Sequence, residues 1–166
     1  MTDANIRSEA RRLEILSVFA LIGVIVAITV RYLLLPGVEF ARGPMTPEAF
    51  TETLGAALIS VLPVVLFAGA LSATHRLAGR LHRGELFSTA VGQGVTGIGS
   101  SLVAGAVAAA FIVPNLLAVV QGDYDGFGFK LDAETWVIGI VGLALMLVGR
   151  LLGRAGEMKA ELESYV

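Results

Sequence analysis

Four long stretches of this chain carry no charge, and that constrains its fold more than any other feature. They run from Ile15 to Val30, Thr53 to Thr74, Leu86 to Gly122 and Thr135 to Gly149. Each reaches or approaches the roughly 20 residues a helix needs to cross a hydrocarbon core about 30 Å thick. A soluble four-helix protein would put a charged face on every helix, whereas these stretches are apolar all round. Charged residues form only 16% of the 166 residues, against about 25% in a soluble domain. The sequence therefore predicts an all-α, polytopic membrane protein, a single domain over 1–166 with four transmembrane helices in a bundle.

The expected spans are 15–35, 54–74, 93–120 and 135–152, with a connection at 75–90 between the second and third. Arg31 and Tyr32 fit the headgroup region at the far end of the first span, and Pro36-Gly37 ends it. Thr46-Pro47-Glu48 reads as a helix start: Thr46 caps, Pro47 suits the first turn and Glu48 meets the positive end of the dipole. That helix should carry the second span and run on to His82. Pro63 within it removes a backbone bond and predicts a kink, with the Ile59 carbonyl left over. Gly84 and Ser88 read as a C-cap and an N-cap around a break. The third helix, Thr89 to Val120, is long, and Pro114 should kink its far end. The alternation at 127–131 suggests a short extended segment, Asp132 a cap for the fourth helix and Trp136 an interfacial anchor. From Gly153 on, alternating charges continue that helix out of the membrane.

Basic residues set the orientation. Nine of them (Arg7, Arg11, Arg12, Arg76, Arg80, Arg83, Arg150, Arg154, Lys159) fall at one side and three (Arg31, Arg42, Lys130) at the other. The positive-inside rule then puts both termini and the central connection in the cytoplasm of a cell with this protein in its inner membrane. The first apolar run is too long for the core of a cleaved signal peptide.

Several function classes lose support. The net charge of −2 gives no basic excess to meet nucleic-acid phosphates directly. With no cysteine, disulfides, thiolate metal sites and thiol catalysis are excluded. His75 and His82 share a helical face but stand about 10 Å apart along the axis, too far to share a metal. Asp123, Asp125, Gly128 and Glu134 copy four positions of a calcium-binding loop, but Phe127 occupies a position that needs an oxygen ligand. This reads as an acidic outer loop. No nucleophile–base pair, phosphate loop or buried carboxylate pair is present, so the expectation is of no enzyme, no metal and no cofactor.

Small residues recur at steps of four in the third helix, Gly97, Ser101, Gly105 and Ala109, and Gly149 and Gly153 form a GxxxG in the fourth. Both patterns predict close helix packing. Pro63 and Pro114, with Ser60, Asn115 and neighbouring hydroxyls, also allow a second reading: broken helices around a midplane site of a small, oligomeric transporter or pore. No acidic or basic residue lies well inside a span, where transporters usually keep one.

The central stretch remains. Its arginines, Arg76, Arg80 and Arg83, fit anionic lipid headgroups on the cytoplasmic side. The turn Gly84-Glu85-Leu86-Phe87-Ser88 is not explained that way, since it presents two large apolar residues that must dock on the helix ends or on a soluble partner. This turn, the Ile98-Gly99 pair that follows it, and the tail Gly153 to Val166 resemble a family of small bacterial four-helix membrane proteins named domain of unknown function 2975. This chain departs from that family in having no basic residue between Ala90 and Gly105. The resemblance implies a membrane protein without established chemistry, in some cases encoded beside helix-turn-helix regulators. It therefore suggests a non-enzymatic role through a cytoplasmic partner such as a transcriptional regulator. The residues expected at that partner or lipid interface are Arg76, Arg80, Arg83, Gly84, Glu85, Phe87 and Ser88, with Glu157 and Glu161 on the tail.

Overall fold

A computed structural model describes residues 3–43, 46–82, 89–122, 126–130 and 132–164, and every regular element in them is helical. Helix α1 (Asp3–Ile28) leads through a π-helical turn (Thr29–Leu34) into α2 (Leu35–Ala41). Helix α3 is a single run from Pro47 to His82. Helix α4 (Thr89–Val107) passes through a second π-turn (Ala108–Ile112) into α5 (Val113–Gln121), and α6 spans Ala133–Ser164. Four stretches are long and apolar enough to cross a membrane: Ile15–Ala41, Pro47–Leu81, Thr89–Gln121 and Ala133–Lys159.

The first span differs from expectation at Pro36-Gly37. The helix does not end there but continues to Ala41. The widened turn explains why. Leu35 N–H donates to Val30 O, five residues back, so that Pro36 falls in the opening turn of α2, where its missing N–H is tolerated. Pro114 is handled identically, with Val113 N–H donating to Ala108 O just before it. Pro63 has no such turn; it is buried within a continuous α3. In lipid an interrupted helix leaves backbone groups without water to bond, so widening by one residue is preferable to ending. Side-chain hydroxyls follow the same logic. Those of Thr29, Thr53, Ser60, Thr74 and Thr96 each donate to the carbonyl four residues earlier in their own helix.

The start of α3 forms as its sequence suggests. Ala49 N–H donates to Thr46 Oγ1 at 3.3 Å, and Phe50 N–H to Thr46 O at 3.0 Å. Phe50 also stacks on Phe40 at 4.6 Å, tying the end of α2 to the first turn of α3.

Among the described residues the spans pack in file, one against the next, without the closing contact expected of a bundle. Helix α1 packs on α3, α3 on α4 and α5, and α4 on α6, while α1 and α6 share no extended contact among the described residues. The buried positions are small, Ala57, Ala70, Ala73, Ala78, Val91, Ala106, Ala108 and Ala110, whereas Leu16, Phe19, Leu33, Leu58 and Leu147 lie outside. Water would penalise that inversion. In a bilayer, where lipid tails are as apolar as leucine, helices associate instead through close packing of small residues.

Candidate functional site

The C-terminal end of α3, the N-terminal end of α4 and the later turns of α6 meet at one end of the molecule, around the central connection. Their spacing is set by glycine. A Cβ on Gly99 would stand 2.5 Å from Gly142 O, and one on Gly142 2.8 Å from Gly99 O. Closer to the connection, Gly92 lies against the Gly153 backbone and Gly149 against Thr96. The α4 and α6 backbones therefore touch along a seam that Gly149 and Gly153 help to form. On the opposite flank of α4, Ser101 meets Gly69 of α3, with its Oγ 3.2 Å from the place a Cβ would occupy, and Gly105 meets the Phe67 ring.

The regular stripe expected from Gly97 to Ala109 thus divides. Ser101 and Gly105 pack on α3, Ala109 borders a cavity at the other end, and nothing lies within 4 Å of a Cβ on Gly97. Gly97 does not seat a neighbouring helix, because the row leaves that face of α4 open.

That open face is the floor of a basin. Arg76, Leu77 and Arg80 of α3 wall a recess of about 170 Å³ over Gln93, Gly94 and Gly97. Across the same Gln93 and Gly97, a groove of about 540 Å³ runs between α4 and α6, lined by Thr89, Ser100, Arg150, Arg154 and Glu157 among others. Arg80 also fixes the junction of the two helices it joins: its Nη1 donates to Ala90 O at 2.9 Å. Arg76 is exposed, as are Arg150, Arg154, Glu157 and Glu161.

Of the interface residues expected from sequence, Arg76, Arg80 and Glu157 are brought to this basin, while Glu161 lies a turn further along α6. Arg83, Gly84, Glu85, Phe87 and Ser88 lie outside the described residues. Arg150, Arg154 and Gln93 were not expected at a site. Their signal was present: Arg150 and Arg154 are four apart, each directly following a glycine of the Gly149–Gly153 pair, so they rim the groove those glycines open.

A second organised region lies at the other end, where Pro114 frees a carbonyl. Ala110 O, without a proline N–H to accept from, receives Lys130 N–H at 3.0 Å from the loop after α5. Asn115 grips the same loop. Its Nδ2 donates to Gly128 O at 2.8 Å and to Phe111 O at 2.6 Å, while Gly128 N–H donates to Asn115 Oδ1 at 2.9 Å. Phe129 then wedges between Phe111 and Trp136, at 4.4 and 6.0 Å. The expected extended segment is here an irregular strap over residues 127–130, shaped by these bonds. Asp132 O accepts from Trp136 N–H in the first turn of α6, and the Asp132 carboxylate pairs with Lys130 Nζ at 3.1 Å. Between α3 and α5 this leaves a cavity of about 540 Å³ bordered by Ser60, Pro63, Pro114, Gln121, Lys130 and Asp132. The calcium-loop positions Asp123 and Asp125 lie outside the described residues. Among the described residues no three acidic or histidine side chains converge as a metal site would require.

A sequence model of one family, described as "Protein of unknown function (DUF2975)", matches residues 15–166. No curated protein and no solved structure matches the chain.

Proposed function

We propose that this chain, which belongs to the DUF2975 family of proteins of unknown function, carries out no chemistry itself and acts through a partner on the cytoplasmic side of the cell membrane. The observation that carries this reading is the concentration of polar and charged groups at one end. Arg76, Arg80, Gln93, Arg150, Arg154 and Glu157 line two adjoining cavities at the end where α3 and α4 are joined, which the positive-inside rule assigns to the cytoplasm. The family resemblance favours a helix-turn-helix transcriptional regulator as that partner, held at the membrane by the connection 83–88 and the tail with Glu161.

Crosslinking in intact membranes followed by purification should recover a soluble protein with the wild type and lose it with Arg83→Glu/Phe87→Ala. Recovery of no soluble partner with the wild type removes the proposal. Orientation has its own check, since the chain lacks cysteine. A thiol introduced by Phe127→Cys, at a side chain 88% exposed, should react with an impermeant maleimide added outside. One introduced by Ala155→Cys should react only after permeabilisation. The reverse pattern would invert the topology and the reading with it.

The cavity beside Pro63 and Pro114 supports a second reading, a small oligomeric transporter or pore whose solute enters between α3 and α5. Under that reading, purified protein in liposomes would carry flux without any soluble component.

A further inference from the structure

Between them, the recess and the groove at the connection end carry four guanidinium groups and one carboxylate. We infer that together they form one discrete site for the phosphate-bearing headgroup of an anionic phospholipid. The inference goes beyond the partner reading and does not depend on it.

Three features identify this occupant. The first is charge. Arg76 and Arg80 are one helical turn apart on α3, and Arg150 and Arg154 are one turn apart on α6, so the two pairs rim the two sides of the same basin, with Glu157 the one carboxylate among the described residues that line it. Guanidinium groups match phosphate oxygens in geometry as well as sign. The second is depth. On α6 the uncharged run ends at Gly149 and on α3 at Thr74, so both arginine pairs stand where the hydrocarbon gives way to headgroups. Exposed Leu143, Leu147 and Leu151 on α6 offer apolar surface along the span for acyl chains. A soluble anion would have no use for that surface. The third is the floor. Gly97 is open, and Gln93 and Ser100 beside it are exposed, which leaves room and polar groups for the ester and glycerol oxygens. A cytoplasmic-leaflet arginine attracted to a diffuse anionic surface needs no floor; basic pockets between helices are what hold individual lipids.

The test uses the full-length protein in a neutral detergent, titrated with phosphatidylglycerol or phosphatidylcholine and read by native mass spectrometry. Phosphatidylglycerol should be retained and phosphatidylcholine should not. Arg150→Gln/Arg154→Gln should weaken retention by about 30-fold, from about 1 kcal/mol for each arginine. Gly97→Leu fills the basin without meeting a neighbouring atom at Cβ, and it should also weaken retention while leaving the helical circular dichroism intact. Arg11→Gln/Arg12→Gln removes the same charge from exposed positions at the same end of the molecule but outside the basin, and should change nothing. Equal retention of the two lipids, or an equal loss with the Arg11/Arg12 variant, would mean diffuse attraction only and overturn the site. Competition by glycerol phosphate at the concentration of the lipid would also overturn it, because the acyl chains would then contribute nothing. Partner capture is read by crosslinking with the Arg83→Glu/Phe87→Ala variant and lipid retention by mass spectrometry with Arg150→Gln/Arg154→Gln, so failure of one proposal is distinguishable from failure of the other.

Discussion

Leucine at Gly99 should pull α4 and α6 apart. Even a methyl group there would overlap Gly142 O and, at 2.7 Å, Met146 N. These are backbone atoms of a neighbouring helix and cannot rotate away as a side chain could. Overpacking of a well-filled core costs about 1–3 kcal/mol where side chains can yield; with backbone on both sides the loss should reach at least ~3 kcal/mol. Reversible unfolding in mixed micelles measures it. The internal comparison is Gly97→Leu, the same change two residues away on the same helix, facing open space. It should be close to neutral, because leucine is also the better helix former. Similar losses at the two positions would mean that the α4–α6 seam does not determine stability.

Replacing Asn115 by leucine should free the strap over residues 127–130 while leaving the helices in place. The side chain makes three hydrogen bonds, two to Gly128 and one to Phe111 O. Hydrogen bonds between segments in membrane proteins average about 0.6 kcal/mol each, so the two to Gly128 hold the strap by about 1.2 kcal/mol. Amide exchange at Gly128 and Lys130 should then accelerate about 8-fold, with little change in the middle of α3 or α6. Unchanged protection at those two amides would show that Phe129, wedged between Phe111 and Trp136, holds the strap alone.

The spans and the Thr46 cap were legible because each depends on local chemistry: a run without charge, and a hydroxyl within reach of a free N–H. The continuation past Pro36 was not. Proline reads as a terminator on the assumption that water will bond whatever the helix abandons. Lipid removes that option, so the chain inserts one residue and goes on. The order of the helices was hidden for a related reason. A helix that is apolar on every side has no face to point inward, so nothing in its periodicity distinguishes a row from a bundle.

Glycine in α4 posed the same difficulty. Gly97, Ser101, Gly105 and Ala109 make a regular stripe, but Gly92, Thr96 and Gly99 make another, and both have helical spacing. The second meets α6 and the first is shared between α3 and open space. Sequence shows that small residues are present on several faces and cannot say which face a neighbour selects. The basin was partly visible for the same reason. Arg76 and Arg80 stood out by their place in the connection, whereas Arg150 and Arg154 became its other wall only because the Gly149–Gly153 seam brings α6 against α4.

The row has one more consequence, for traffic. A closed bundle has an inside, and whatever reaches it must pass an opening. A single file of helices has none. No group in it lies more than one helix diameter, about 10 Å, from the surrounding acyl chains. A lipid moving within its leaflet can therefore slide against the basin sideways and leave the same way, and occupancy there should follow the composition of that leaflet continuously, with no gate to open.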